Sequence, residues 1–598
     1  MLHGGAMAYL THAAPREQTI VNFASLGILI PLLDKLNIAN IIDRHLPADP
    51  QAEFSHGTVL QVLLAARLNH PTALVNVADW AAEHGAEFLC NIPADKLNDD
   101  RLARSLDALF EQRHAVLAEV TCAVLRLTKL DLESCHFDPT HLVLYGAYED
   151  SEPRPQIPLD LLISQLRNSP AHITRGYQSK YKLLQLGLTS VVDDLGAVPV
   201  ACHLYDGNRN GHTGIKEQYF LLKHFLQLPD NLLLVSDRGT CSAEHLARLR
   251  AHGHHGLCAG QWQDYRSLYE QHAATLNWQP ASYQSREQQR RRACNSSLPL
   301  EDFRLAVLDH QLVDPATKTP FDCRVLFVHS SAAAKESKQR REKNVAKIQA
   351  GLDTIARKLQ KAHTSTTPES VIKQITRLLG NKNAANLFRW ELVALTAAEQ
   401  AALPNPAKGH RTPTHRLVYS FDQAAAEADA QHDGIYALVT TAPLTWSGDA
   451  LLTEYKRQTY IERGNHELKT PLAVTPIFLK TPRRVEALVH LLFMALQAYM
   501  TLERLYRQSV PADAKPSQRR MTAERILKKF ATCSLIVEQQ EYGEVIQVAR
   551  LNREQHAILT QLSLATPTEI LRKNLPPRPP RENSPQPAPL TNIGRGAE

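Results

Sequence analysis

A polar segment followed closely by a long apolar one constrains the fold of this chain more than any other feature. If residues 455–469 are helical, Tyr455, Gln458, Glu462 and Lys469 share one face across about four turns, because a helix repeats every ~3.6 residues. Residues 485–505 are apolar and need a core that buries them. These residues alone allow two interpretations, a functional polar stripe or a solvated amphipathic face.

Length and composition indicate a soluble protein of several domains. The chain has 598 residues, too many for one ordinary core, so we expect roughly two to four domains. Hydrophobic residues make up 43% and charged residues 21%, values typical of soluble globular proteins. The net charge of +6 permits nucleic-acid binding but does not by itself indicate it.

The sequence predicts a cytoplasmic protein without a membrane partner. Its first residues contain no basic segment leading into an apolar run. Residues 487–502 are uncharged, but these 16 residues are fewer than the roughly 20 that a span needs, so we predict a buried core helix. The nine cysteines include no Cys-x-x-Cys pair, which suits a reducing compartment.

The first part of the chain has helical periodicity. Residues 26–33 and 59–68 are apolar at helical spacing, and Ser55 or Thr58 can cap the second of these helices. Asn98, or the aspartate after it, can cap another helix. The arginines nearby, Arg101, Arg104 and Arg113, allow either a helix-turn-helix surface for DNA or a plain helical bundle.

From residue 132 the pattern changes to that of a mixed sheet covered by helices. A predicted strand near Ser134 carries Asp138, and two apolar strands form a hairpin across 193–196. A further apolar strand ends in Asp237. Two strand-borne aspartates on successive elements of one sheet are the main candidates for chemistry.

A long basic helix is predicted over residues 335–361. Nine cations against three acids give it a local charge of +6: Lys335, Lys338, Arg340, Arg341, Lys343, Lys347, Arg357, Lys358 and Lys361. Such a helix is commonly a solvated surface, but a surplus of this size can also follow a phosphate backbone. The residues considered for DNA contact are Lys338, Arg340, Arg341 and Lys343.

These patterns divide the chain into consecutive regions. We predict a flexible N-terminus (1–18), a helical DNA-binding region (19–128), the first part of a sheet core (129–260), an insertion domain (261–442), the second part of the core (443–510), a C-terminal helical region (511–575) and a disordered Pro-rich tail (576–598).

Asp138, Asp237 and Glu462 together have the chemistry of a hard-cation site. A carboxylate in a buried strand is costly unless it is paired, capped or metal-bound. Mg²⁺ takes oxygen ligands, and two such ions about 4 Å apart can support in-line phosphoryl displacement. Each residue also has a plainer explanation, since Asp138 can sit in a turn and Asp237 at a strand-to-helix junction.

The combination resembles DDE-type bacterial insertion-sequence transposases, in the branch with a long insertion before the glutamate. The resemblance covers about residues 20–505 and rests on Asp138-Pro-Thr, on the apolar strand ending in Ser-Asp237-Arg-Gly, and on Tyr455-x-x-Gln458-x-x-x-Glu462-x-x-x-x-x-x-Lys469. It extends to Gly176-Tyr177, Asp206-Gly-Asn208 and Pro476-Ile-Phe-Leu-Lys480.

The resemblance implies an α/β fold. The expected core is an RNase H-like mixed sheet flanked by helices and interrupted by an insertion domain, with an all-helical N-terminal DNA-binding region. It also implies Asp138, Asp237 and Glu462 as catalytic ligands of two Mg²⁺ or Mn²⁺ ions. Tyr455, Gln458 and Lys469 would contact DNA.

The implied partners are double-stranded DNA, both as terminal inverted repeats and as target, and a second copy of the chain in a homodimer assembled on DNA. The implied location is the cytoplasm, at the nucleoid.

Three departures from the family pattern stand out. Gln458 occupies a position that is often arginine, the loop 150–172 is expanded, and the segment after Tyr177 lacks an Arg-Pro-Asp run. Lys180 and Lys182 keep positive charge in that segment. None of these changes affects the three carboxylates.

A second register of the signature is possible. Tyr460, Arg463 and Glu467 match its first part, but Val474 then stands where lysine belongs. Glu467 lies five residues, or roughly 140°, around the helix from Glu462, so only one of them can face the aspartates. The lysine favours Glu462.

Three functions remain compatible with the sequence: a transposase that cleaves and joins DNA, a related metal-dependent nuclease without strand transfer, and a catalytically inactive DNA-binding protein derived from a transposase.

Overall fold

The computed structural model describes residues 18–47, 50–155, 158, 161–166, 168–176, 180–209, 211–240, 242–295, 297, 301–360, 367–380, 384–403, 412–469, 472, 477, 479–540 and 543–574. Of the predicted flexible N-terminus (1–18), residues 1–17 lie outside these residues, whereas Gln18 begins a strand. The predicted disordered tail (576–598) also lies outside them. Tyr177, Lys361, Val474 and Pro476 lie outside them as well.

The strands are numbered in chain order: β1 (Gln18–Asn22), β2 (Ser134–Leu144), β3 (Thr174–Arg175), β4 (Lys182–Asp193), β5 (Gly196–Tyr205), β6 (Leu233–Ser236), β7 (His255–Ala259), β8 (Gln279–Pro280), β9 (Phe303–Val313), β10 (Pro320–Ser330), β11 (Phe388–Ala394), β12 (His415–Phe421), β13 (Ile435–Thr440), β14 (Ser534–Gln540) and β15 (Gly543–Val548).

The α-helices are α1 (Leu26–Lys35), α2 (Ile38–His45), α3 (His56–Asn69), α4 (Val77–Glu83), α5 (Ala86–Cys90), α6 (Asp99–Thr128), α7 (Leu162–Leu166), α8 (Gly211–Phe225), α9 (Ala243–Ala251), α10 (Trp262–His272), α11 (Arg286–Cys294), α12 (Ser331–Leu359), α13 (Pro368–Leu379), α14 (Ala397–Ala401), α15 (Gln423–Ala430), α16 (Gly448–Lys456), α17 (Thr459–Lys469), α18 (Pro482–Ser509), α19 (Pro516–Arg519), α20 (Ala523–Lys529), α21 (Arg553–Gln561) and α22 (Pro567–Asn574). Ser55 and Asn98 cap α3 and α6, as predicted.

The chain divides into two compact units. The first is formed by Met1–Leu232 together with Arg457–Glu598, and the second by Leu233–Lys456. The boundaries between the units therefore fall at residues 232/233 and 456/457, whereas the predicted insertion domain spans 261–442.

The core of the first unit is built on α18. This helix packs against α6 and α3, and nearly all of its residues from Val485 to Leu502 are buried. Among the described residues, α18 is the one helix long and apolar enough to cross a membrane, and its apolar segment is entirely buried inside the protein. The prediction of a core helix is confirmed.

The N-terminal and C-terminal regions are not all-helical, and this part of the prediction was wrong. β1 pairs antiparallel with β14, with Ile20 opposite Ile536, and β14 pairs with β15. A five-residue strand whose partner lies more than 500 residues away has no local signal that separates it from a loop. In the chain, the short helices α19 and α20 precede β14, and α21 and α22 follow β15.

The first unit also contains the predicted hairpin. β4 and β5 pair antiparallel with Asp193 opposite Gly196, and β2 pairs antiparallel with β4, placing Asp138 opposite Leu188. The helix α17 packs on β2, β4 and β5. Ile461 of α17 anchors it by packing with Val192 and Ala197.

The second unit has its own sheet. β6 and β7 are parallel, β13 runs antiparallel to both β7 and β10, and β10 pairs with β9. Strands assigned by prediction to the insertion therefore belong to the same sheet as β6. A separate apolar core within this unit joins α12 and α13 with the β11–β12 hairpin.

A charged cluster is buried in the first unit. Glu486 on α18 and Arg113 on α6 are both 0% exposed and form an ion pair at 2.8 Å. Arg154 donates to both carboxylate oxygens of Glu486 at 3.0 and 2.9 Å, and the amide of Ala171 donates to one of them at 2.7 Å. This carboxylate thus joins α18, α6 and the segment before β3.

The arginines considered for a helix-turn-helix surface each have a partner within the first unit. Arg113 is buried in that cluster, Arg101 donates to the carbonyl of Phe54, and Arg104 pairs with Asp100 on its own helix. At least Arg113 cannot contact DNA in this fold.

Candidate active site

The segment from Tyr455 to Lys469 is not one continuous helix. α16 ends at Lys456, and α17 begins at Thr459, with a turn at Arg457–Gln458 between them. Tyr455 belongs to the second unit, where it packs with that unit's apolar core. The predicted stripe is therefore shortened to its part from Gln458 onward.

Asp138 lies at the surface of β2 that faces α17. Asn465, a buried residue of α17, donates from Nδ2 to Asp138 Oδ2 at 2.5 Å. Residues 136, 138 and 140 share one side of β2 because successive strand residues alternate faces. His136 on this side bonds through Nδ1 to the side chain of Gln458 at 3.0 Å. The contacts fix α17 against β2 at two points.

One face of α17 carries Glu462, Asn465 and Lys469. Offsets of three and seven residues place them within roughly 60° around the helix. Lys469 is exposed; partial desolvation lowers its pKa from 10.5, and the nearby Asp138 carboxylate opposes this shift. Glu462 is exposed one turn before Asn465. The face that meets Asp138 therefore includes Glu462.

The opposite side of α17 is held by a different carboxylate. Arg463 donates to Glu503 of α18 at 2.8 and 2.7 Å and to Glu467 at 3.3 Å. Glu503 is buried, and it also pairs with Arg507 at 2.6 Å. Glu467 is thus directed toward α18, roughly 160° around the helix from Asn465. This geometry favours the register with Glu462.

Gln458 and Asp237 have contrasting environments. Besides its bond to His136, Gln458 donates to the carbonyl of Phe137 at 2.9 Å, so its amide is used inside the first unit. Asp237 lies in the second unit, exposed directly after the buried strand β6, and its carbonyl accepts from the amide of Thr240 at 3.1 Å. The joint assignment of Asp138, Asp237 and Glu462 stays a prediction.

The donors at β2 and α17 suit a hard divalent cation in chemical type. They include the Asp138 carboxylate and Oδ1 of Asn465, a buried oxygen that has no hydrogen-bond partner among the described residues. Mg²⁺ prefers such oxygen ligands. Across the described ranges, however, no three His, Cys, Asp or Glu side chains are grouped so that they could hold a metal ion.

The predicted basic helix is confirmed and corresponds to α12. Some of its cations form ion pairs within the protein, and others are exposed. Arg341 forms two bonds to Asp433, at 2.7 and 2.6 Å, and Arg340 pairs with Glu336 on the exposed surface. Lys338 and Lys343 are exposed. Ile348 and Leu352 bury the opposite side of the helix in the core with α13.

Sequence reasoning missed the roles of Asn465 and Glu503. Asn465 falls three residues after Glu462, so helical spacing could have placed it on the same face. Nothing in the sequence signals that Glu503, inside a long apolar helix, accepts from Arg463, because that contact joins separate elements 40 residues apart.

Comparisons with known proteins bear on the family of the chain. Residues 156–497 match the family described as "Transposase DDE domain", and residues 18–121 match a domain of unknown function, DUF4277. No curated protein matches the chain. A cryo-EM structure of the piggyBac transposase synaptic complex with hairpin DNA is similar at 9% identity and a TM-score of 0.31, covering 94% of this chain and 89% of that chain, values too low to assign a shared fold. Because the transposase family matches more than half of its 598 residues, the chain belongs to the transposases with a DDE domain.

Proposed function

We propose that this protein binds the terminal inverted repeats of an insertion sequence and catalyses metal-dependent cleavage and strand transfer of DNA. The observation that carries the proposal is the bond between Asn465 and Asp138, which aligns the Glu462 face of α17 with β2. Family membership supplies the chemical class, since DDE transposases depend on divalent metal ions.

Asp138, Asp237 and Glu462 would hold two Mg²⁺ or Mn²⁺ ions, which when bound activate a nucleophile and stabilise the leaving oxygen. Asp237 enters this assignment through its sequence motif. Asn465 holds Asp138 Oδ2 and so orients the other carboxylate oxygen. Lys469, exposed on the same face, adds a cation for a DNA phosphate.

We further propose an RNase H-like arrangement of the core, a homodimer assembled on DNA, and a location at the nucleoid. Tyr455 and Gln458 contact DNA in this proposal only if the protein rearranges locally, because Tyr455 packs with an apolar core and the Gln458 amide is bonded to β2.

The direct test uses purified protein and a duplex that ends in the short inverted repeats flanking the gene. With Mg²⁺ we expect nicks that leave 3′-hydroxyl ends, and with added target DNA we expect joined products. EDTA should abolish both. Nicking without joined products would identify a nuclease, and repeat binding without nicking would identify an inactive DNA-binding protein.

The outer face of α12 provides a separate DNA contact in this proposal. Replacing Lys338, Arg340 and Lys343 with glutamine should weaken binding to all duplexes alike. The slope of log affinity against log salt should fall by about 3, or about 0.9 per lost phosphate contact. Binding titrations from 50 to 200 mM salt measure this slope.

Arg341→Gln is the matched control on the same helix. Its guanidinium already pairs with Asp433, so we expect an unchanged slope. If the triple variant also keeps the parental slope, α12 is only a solvated surface.

A further inference from the structure

Exposed cations that form no ion pair within the described residues accumulate in the first unit between residues 515 and 525. We define the cationic strip as Lys515, Arg519, Arg520 and Arg525, all exposed. Within the described residues none of the four forms an ion pair with a carboxylate. The same stretch contains two acids, Asp513 and Glu524; Glu524 bonds Lys528 at 2.6 Å and also attracts the neighbouring Arg525. The strip therefore carries a net positive charge.

This segment is fixed to the helix that carries Glu462. Arg507 of α18 donates to the carbonyl of Met521 at 3.1 Å, and the amide of Ala523 donates to Glu503 at 3.1 Å. The same Glu503 carboxylate accepts from Arg463 of α17. A single buried acid thus connects α17 to the residues between Arg520 and Arg525.

The position of the strip relative to α17 follows from helical geometry. Asn465 faces β2, and Arg463 faces Glu503 roughly 160° away, with Glu462 between these two directions. Through Glu503, the segment that carries the strip is therefore connected to the side of α17 that lies opposite to Asp138.

We infer that the cationic strip binds the phosphate backbone of double-stranded DNA beside the cleavage site. The inference rests on the proposed function and adds a second contact surface to it. Like charges left unpaired at a surface repel one another, and a polyanion relieves that repulsion while releasing counterions. Three of the four residues are arginines, and a guanidinium group can form bidentate hydrogen bonds to a phosphate.

The test replaces all four residues with glutamine and measures duplex binding in EDTA, where no cleavage occurs. We expect the salt slope to fall by about 3 to 4, so that the loss of affinity between 50 and 200 mM salt shrinks by about 100-fold. The matched control replaces four other exposed cations of the same unit, Lys96, Arg104, Arg572 and Lys573. It changes net charge equally and should keep the parental slope.

The outcomes separate the two proposals. Equal slopes for parent and strip variant, or an equal loss in the control, would overturn the inference while leaving Mg²⁺-dependent nicking unaffected. A parent protein that binds no duplex would refute both. Thermal unfolding of the strip variant near the parental temperature would establish that exposed side chains alone were changed.

Discussion

Asp138→Ala and Glu462→Gln should each reduce nicking of the repeat duplex about 10³-fold or more. An amide or methyl group is a poor ligand for a hard cation, and losing several kcal/mol of charge stabilisation corresponds to such a factor. Asp237→Ala should have the same effect. Duplex binding in EDTA should stay near parental, since none of the three substitutions removes a proposed contact to a DNA phosphate.

Three further substitutions on α17 test the assignment of Glu462. Glu467→Gln should nick almost normally, because Arg463 keeps its two bonds to Glu503. Asn465→Ala keeps both carboxylates but removes the donor to Asp138. Its nicking rate should therefore lie between those of Glu462→Gln and Glu467→Gln. Lys469→Ala should bind Mn²⁺ normally by calorimetry and process ends poorly. An inactive Glu467→Gln with an active Glu462→Gln would shift the signature by five residues.

Glu486→Ala should strongly destabilise the first unit, by about 3–5 kcal/mol. It leaves Arg113 fully buried without its carboxylate and removes the acceptor of Arg154 and of the Ala171 amide. This is a large part of the ~5–15 kcal/mol that stabilises a typical domain. Chemical denaturation followed by circular dichroism measures the loss.

Glu111→Gln is the control for charge alone. It removes the exposed partner of Arg483 and should cost less than ~1 kcal/mol. If Glu486→Gln, which keeps the side-chain shape, unfolds at the parental denaturant concentration, the buried cluster contributes no stability.

The same region should make the protein sensitive to acid. Burial lowers the pKa of His490 to about 3 and that of His114 well below 6.5, with Arg113 adding to both shifts. Both rings stay neutral in the folded state, so stability is full above pH 6.5 and falls as the unfolded state takes up protons. At pH 5 each of the two rings lowers the free energy of unfolding by about 2 kcal/mol.

The Glu486 carboxylate affects the pH dependence of stability at lower pH than the two histidines do. Burial alone would raise the pKa of Glu486, but Arg113 and Arg154 hold it at about 2. Its contribution is present above about pH 4.5 and is lost toward pH 2. Melting temperatures between pH 7.5 and 4 test the histidine contribution, and His490→Phe should flatten this dependence, whereas a change at exposed His70 should not.

The family and several elements of the fold were readable from the sequence because they rest on local patterns. The strand with Asp138, the hairpin that follows it, the apolar strand before Asp237 and the buried helix α18 all carry their own periodicity or turn residues. The spacing of Glu462 and Lys469 also survives within the single helix α17. A period of two or 3.6 residues needs no knowledge of distant neighbours.

Tertiary structure decided how those elements are used. Whether Arg113 faces DNA or a buried glutamate depends on a partner 373 residues away, and the strand β1 exists because β14 pairs with it. The break between α16 and α17 likewise separates Tyr455, packed in the second unit, from Gln458, bonded to β2 in the first. A side chain's charge and helical phase are local properties, whereas its partner is set by how distant segments pack.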